Sequence, residues 1–166
     1  MIRVIPPTTL HWEKHVFQCV LGRNGVTDEK WEGDGYTPSG AYSLREIFYR
    51  RDRVTNLRTK LPTREITKLD GWCDDPEHEL YNRLVRLPIN ASHEKLWRTD
   101  NCYDIIVVLD HNSDPVVPYR GSAIFMHVAT AEYRTTEGCV ALDRQALETI
   151  LSGCGQKEVI HIQRTV

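Results

Sequence analysis

Ala123-Ile124-Phe125-Met126-His127-Val128-Ala129 is an apolar run with one imidazole near its end, and Gly138-Cys139-Val140-Ala141-Leu142 opens another short apolar piece. Both segments are too short for stable helices and rich in residues that pack well on pleated surfaces, so each reads as a buried strand. Eleven residues, Val128 to Gly138, join His127 to Cys139. If the two strands are neighbours, imidazole and sulfur meet at the rim of a sheet. A thiol is a weak nucleophile at its ordinary pKa of roughly 8.5 and needs a base or a positive field beside it. His127 is the nearest base to Cys139. Gly138, lacking a Cβ, lets the chain turn tightly and a substrate carbonyl come close. The amides of Gly138 and Cys139 are candidate donors to a tetrahedral oxyanion.

Outward from this pair the chain is a succession of short apolar pieces and turn signals. Ile105-Ile106-Val107-Val108-Leu109 reads as a central strand buried on both faces. Val16 to Leu21 reads as a strand, and Arg23-Asn24-Gly25 predicts a hairpin turn with a return strand from Val26 to Trp31. Gly33-Asp34-Gly35 and Thr37-Pro38-Ser39-Gly40 form a loop before an extended piece from Ala41 toward Tyr49. Residues 50–90 are polar and irregular, with Pro62, Pro76 and Pro88, which suggests a lid or substrate wall. Ser92 predicts a capped short helix over residues 93–98. Asp143 caps a second helix with Leu147, Ile150 and Leu151 on one face and Gly153 as its stop. Glu158 to Ile162 alternates as a last strand. The sum is one mainly β domain over residues 1–166 with about two helices.

Composition excludes several function classes. The 166 residues suit one domain with its own core. Twenty-one Lys and Arg against 23 Asp and Glu leave a formal charge of -2, which lacks the broad positive field of a nucleic-acid binder. The basic cluster Arg50-Arg51-Asp52-Arg53 is short and interrupted, as expected of a solvated face. No run of apolar residues is long enough for a transmembrane helix, and the start, Met1 to Pro7, lacks the features of a secretory signal. Five cysteines, an odd number, leave at least one unpaired within the chain. Cys19, Cys102 and Cys154 read as small core residues.

The His127 and Thr136-Glu137-Gly138-Cys139-Val140 pattern resembles the catalytic signature of the L,D-transpeptidase family, the YkuD domain, in which a His precedes a Ser/Thr-x-Gly-Cys segment. Gly35-Tyr36-Thr37-Pro38-Ser39-Gly40-Ala41-Tyr42 is similar to that family's Thr-Pro-x-Gly-x-Tyr/Phe element, and the two occur in the expected order. The resemblance implies a β-sandwich-like catalytic domain in the periplasm or cell envelope, with no metal or organic cofactor. Its donor would be a peptidoglycan tetrapeptide stem, which acylates Cys139 as a thioester with His127 as general base and acid. An amine acceptor then completes a crosslink, or water completes a hydrolysis by a carboxypeptidase or amidase. A wall-binding module that has lost the chemistry is a third reading. This chain departs from the family pattern in its short His-to-Cys loop, in Glu137 where His or Arg is common, and in Ala141 where Arg often follows.

An acidic neighbour opposes thiol ionisation, so Glu137 is expected to point away, to pair with Arg134 or Arg23, or to meet a substrate ammonium. Further candidates for substrate binding are Arg23 toward a carboxylate, Tyr42 and Tyr133 along a groove, and Thr136 in the loop before the thiol. Trp72 could stack over the groove with Asp74 or Asp75 orienting an amine, or the segment is a simple Asp-Pro turn. Cys73, Asp74, Asp75 and His78, or His11 with His15, were the candidate metal ligands, but neither set has the spacing of a known zinc site.

Overall fold

The computed structural model describes residues 1–164. In chain order its strands are β1 (Ile2–Ile5), β2 (Thr9–Trp12), β3 (His15–Val20), β4 (Val26–Thr27), β5 (Thr37–Pro38), β6 (Gly40–Tyr49), β7 (Thr63–Glu65), β8 (Asp70–Cys73), β9 (Leu84–Arg86), β10 (His93–Lys95), β11 (Ile105–Leu109), β12 (Phe125–Val128), β13 (Val140–Leu142) and β14 (Val159–Ile162). One helix, α1 (Arg144–Gly153), lies between β13 and β14.

The chain is mainly β, as expected, but the main sheet closes on itself where the resemblance had implied a sandwich. Its order runs β11-β12-β13-β3-β2-β1-β14-β6, and β6 pairs again with β11, so eight strands form a ring with β7 on its edge. Closure removes the exposed edges that an open sheet must protect. Residues from every strand of the ring, among them Ile2, Leu10, Cys19, Leu44, Val107, Met126, Val140 and Ile160, join one buried cluster, which is therefore the interior. Helix α1 adds Leu147, Ile150 and Leu151 to that cluster. Its N-cap is Asp143, whose carboxylate accepts from the Ala146 amide at 2.8 Å, as the capping pattern predicted. Gly153, expected as the stop, is the last helical residue and Cys154 caps the helix; a Cβ at Gly153 would stand 2.4 Å from the Trp12 indole.

A second buried cluster covers the outer face of β6, β11 and β12: Phe48, Trp72, Leu96, Tyr103, Ile106, Val108, Phe125 and Cys139. Its cover is a three-stranded sheet, β10-β8-β9. Strand β11 is thus buried on both faces, as its unbroken β-branched run implied.

Three local expectations fail. The helix expected over residues 93–98 is β10, because Glu94 pairs with Trp72 and the covering sheet outweighs local helix propensity. The Asn24-Gly25 turn forms, with Gly25 N–H donating to the Gly22 carbonyl at 2.8 Å, but no hairpin follows. Strand β3 pairs with β2 and β13, and the return piece is only β4, paired with β5. The 50–90 segment is less irregular than expected, and its Asp74 walls the cavity at Cys139. It contributes β7, β8 and β9, and all four residues of β8 are buried.

Candidate active site

Strands β12 and β13 run parallel, with His127 opposite Ala141. Side chains opposite one another share a face, and every second residue returns to it. Cys139, two residues before Ala141, therefore stands on the same face as His127, diagonally across one strand spacing. Diagonal neighbours in a sheet lie roughly 7–8 Å apart at the backbone, within reach of ring side chains. Both residues are 8% exposed.

The tautomer of His127 follows from its bonding. Its Nδ1 lies 2.8 Å from the carbonyl oxygen of Val128, which can only accept, so Nδ1 carries the proton. Nε2 is thereby left as the basic atom. The ring of Tyr103 meets the imidazole edge-on, with centroids 5.3 Å apart. The Tyr103 hydroxyl donates to Glu94 at 2.6 Å, which holds that ring in place.

The thiol is anchored to the start of β12. Cys139 Sγ donates to the Ala123 carbonyl at 3.2 Å and accepts from the Phe125 amide at 3.4 Å. Ala123 has a positive φ of 53°, and its own amide donates to Asn82 Oδ1 at 3.1 Å. Asn82 also accepts from the Trp72 indole at 2.9 Å, so the covering sheet fixes the carbonyl that receives the thiol.

Electrostatically the pair rests neutral. Burial pushes the Cys139 thiol up to about 12, and the Glu94 carboxylate adds to the shift. Burial pushes His127 down to about 4, and Arg98 acts in the same direction. The chemistry open to such a pair is general-base attack, in which the proton leaves sulfur as the sulfur bonds to carbon, rather than attack by a stored thiolate.

Gly138 is required by geometry. Its φ is 143°, and a Cβ there would stand 2.8 Å from the Tyr36 carbonyl oxygen. Its amide donates to Thr136 Oγ1 at 3.1 Å, and that hydroxyl donates to the Cys139 carbonyl at 2.7 Å. Thr136 thus shapes the turn that presents the thiol, and the Gly138 N–H is engaged inside that turn. The Thr-Pro element braces the same place. Thr37 is fully buried, its hydroxyl accepts from the Gly22 amide at 2.8 Å, and Gly22 bridges to Thr136. The two halves of the sequence pattern, far apart in the chain, meet here.

The remaining candidates disperse. Glu137 forms an ion pair with Arg23, as one expectation had it, with its side chain 76% exposed. Arg23 and Tyr133 line a groove of about 830 Å³ beside β3, together with Pro7, Gln18 and Thr135. Arg134 pairs with Glu132. Trp72 does not stack over a groove: it is packed between Phe48 and Phe125, because β8 is the middle strand of the covering sheet. Tyr42 donates to the Ser39 carbonyl at 2.5 Å and sets its ring against His111, so it supports the barrel wall and does not line the space beside the thiol. Asp75 accepts from the Glu77 amide in a turn. Cys73, Asp74, Asp75 and His78 do not converge as metal ligands among the described residues.

Cys139 opens onto a cavity of about 200 Å³ whose polar walls include Lys30, Glu32, Asp74, Glu94, Ser122 and Glu137. Of these, Asp74 and Glu137 are candidates from the sequence. Lys30 is buried and bound by Asp34, which also accepts from the Trp31 and Tyr36 amides. Nothing near His127 or Cys139 in the chain points to Glu94 or Tyr103, since covering sheet and barrel supply them from separate segments.

A family model described as the L,D-transpeptidase catalytic domain matches residues 7–162. No curated protein and no solved structure matches the chain. The matched span includes β2 through β14, the Thr-Pro brace and the Cys139 turn, and on that match the chain belongs to the YkuD family of L,D-transpeptidase catalytic domains.

Proposed function

We propose that this domain is a cysteine acyltransferase acting on peptidoglycan tetrapeptide stems in the cell envelope. The observation that supports the reading is the register of β12 and β13, which puts His127 and Cys139 on one face a strand apart, with the resting thiol bonded to Ala123 and Phe125. Cys139 Sγ attacks the carbonyl of the donor peptide bond as His127 Nε2 accepts the thiol proton. The tetrahedral oxyanion is met by the Cys139 amide, because the Gly138 amide is already bonded to Thr136. Collapse breaks the C–N bond, and the imidazolium returns its proton to the leaving amine. The thioester then passes its acyl group to an amine acceptor, and the base accepts the proton that the attacking amine loses. The groove beside β3, rimmed by Arg23 and Tyr133, has room for the rest of a stem.

Incubation with a defined tetrapeptide stem or a carbapenem, followed by intact-mass analysis and peptide mapping, tests the proposal. The expected result is a single acyl adduct on Cys139, absent in Cys139→Ala. No adduct on the wild type would overturn it. Product analysis separates the two fates of the thioester: a crosslinked dimer marks transfer, and a shortened stem alone marks hydrolysis.

A further inference from the structure

A charged side chain is buried beside the turn that carries the thiol. Lys30 is 6% exposed, and lysine is almost never buried this deeply unless its charge is paired. Asp34 is the partner. The Asp34 carboxylate in turn accepts from the Trp31 and Tyr36 amides at 2.8 and 2.9 Å, so the turn around Asp34 fixes where the ammonium sits. Two glycines clear the way for this side chain. A Cβ at Gly121, where φ is 92°, would stand 2.8 Å from Lys30 Cγ and 3.1 Å from Cε, and a Cβ at Gly138 would stand 3.4 Å from Nζ. The stem therefore passes over Gly121 and brings the ammonium to the backbone of Gly138, the residue bonded to the Cys139 nitrogen. Pairing with Asp34 does not by itself require the ammonium to end at that peptide.

Lys30 also walls the cavity into which Cys139 opens, and it is the one basic residue of that wall among the described residues. Glu32, Asp74, Glu94 and Glu137 stand around it. An oxygen that gains negative charge among carboxylates is repelled unless a cation stands close. Attack by Cys139 creates such an oxygen: as the sulfur bonds to the carbonyl carbon and the thiol proton moves to His127, the C=O electron pair moves onto oxygen. The Cys139 amide is one donor to it, while the Gly138 amide is engaged by Thr136. A second donor from a side chain completes the site.

We infer that Lys30 is a catalytic residue whose ammonium, positioned by Asp34 and keeping its proton, donates to the tetrahedral oxyanion alongside the Cys139 amide. The inference rests on the proposed acyl-transfer reading. An ammonium has three N–H donors, and Asp34 accepts one of them. A fixed charge in a water-poor site stabilises developing charge without having to reorganise. Burial raises the Cys139 thiol and the Lys30 charge pulls the other way, which puts the cation within electrostatic reach of the sulfur.

Two reagents that need no stem recognition separate the oxyanion from the thiol. p-Nitrophenyl acetate acylates a thiol through a tetrahedral oxyanion and releases p-nitrophenolate, whereas iodoacetamide alkylates it by displacement of iodide, with no oxyanion. Rates at Cys139 are taken as wild type minus Cys139→Ala, and the ester-to-iodoacetamide ratio is divided by the same ratio for free 2-mercaptoethanol. The inference predicts a normalised ratio of about ten or more in the wild type, lowered about tenfold or more in Lys30→Met. Removing the charge also raises the thiol, but that slows both reactions and cancels in the ratio. Lys30→Gln takes the place of Lys30→Met if the latter folds poorly. A wild-type ratio near one, or a ratio unchanged in a folded variant without the cation, would overturn the inference.

With a stem peptide, Lys30→Met should lower kcat for acylation far more than it changes KM. Unimpaired stem acylation in that variant refutes the role of Lys30. If the wild type takes no acyl group from stems while its ester ratio stands, the substrate reading fails and the oxyanion role of Lys30 is retained.

Discussion

On the inner face of β11, β12 and β13 stand Ile105, Val107, Met126, Val140 and Leu142, whereas on the outer face the same strands and the turn before β13 present Ile106, His127 and Cys139, with Tyr103 and Glu94 packed nearby. Both faces are buried, and both hold a thiol that burial pushes up to about 12, Cys19 inside the barrel and Cys139 outside it. The difference lies in what surrounds the sulfur. Cys19 sits fully buried in the barrel's apolar cluster. Both border open space, Cys19 the groove beside β3 and Cys139 the smaller cavity, but only Cys139 has a backbone donor and acceptor on its sulfur and an imidazole on its face. Burial alone makes a thiol inert, and it is the polar construction of the outer face that gives this one a task.

The sharpest way to break the comparison is to exchange the two thiols' fates. Cys139→Ala should abolish acylation, a loss of at least about a thousandfold in rate, while Cys19→Ala should leave the acylation rate unchanged per folded molecule. His127→Gln should slow acylation by about 10²–10⁴-fold, the usual contribution of a positioned base. Intact-mass time courses read all three, and acylation surviving in Cys139→Ala would erase the distinction.

The inner face is sharpened by stability instead. Leu147→Ala, on the buried side of α1, should cost about 2–5 kcal/mol in denaturant unfolding, yet leave the pH profile of acylation where it was. A shifted profile would show that the two faces are not separable.

Acid stability discriminates between the faces as well. His127 is held near 4 against an ordinary value of 6.5. Above pH 6.5 neither state binds the proton. As pH falls from 6.5 toward 4 the unfolded chain takes it up first, so stability is lost across that window, by up to about 3 kcal/mol. His127→Gln should flatten the slope there and Leu147→Ala should not, as urea melts at several pH values would show. The smallest effect concerns the helix cap: Asp143→Ala should cost about 1 kcal/mol, read in the same melts, with acylation unaffected.

Much of this was legible in the sequence where local pattern and final environment agree. The double burial of β11 shows in an unbroken run of β-branched residues, the cap of α1 in Asp143, and the common face of His127 and Cys139 in two short strands with a glycine before the thiol. Barrel closure was not legible, because the pairing of β6 with both β11 and β14 is a long-range choice that neither segment announces. Strand β10 was misread as a helix, and the burial of Trp72 between Phe48 and Phe125 was not foreseen, for one reason: the covering sheet sets both, and its strands come from segments whose local composition reads as loop. Glu94 and Tyr103 were invisible for the same reason. The pairing of Glu137 with Arg23 was one of the alternatives the sequence left open, and their proximity across the Gly22–Thr136 bridge selects it.

The central claim is that thiol and imidazole rest uncharged and exchange their proton only as the substrate carbonyl is attacked. Its most direct measure is the pH dependence of Cys139 alkylation by iodoacetamide, a neutral reagent, from pH 5 to 10.5, taken as wild type minus Cys139→Ala. A neutral resting pair predicts a rate that keeps rising past pH 9 with no plateau at lower pH. A flat, fast rate between pH 5 and 8 would reveal a preformed thiolate–imidazolium pair and contradict the account.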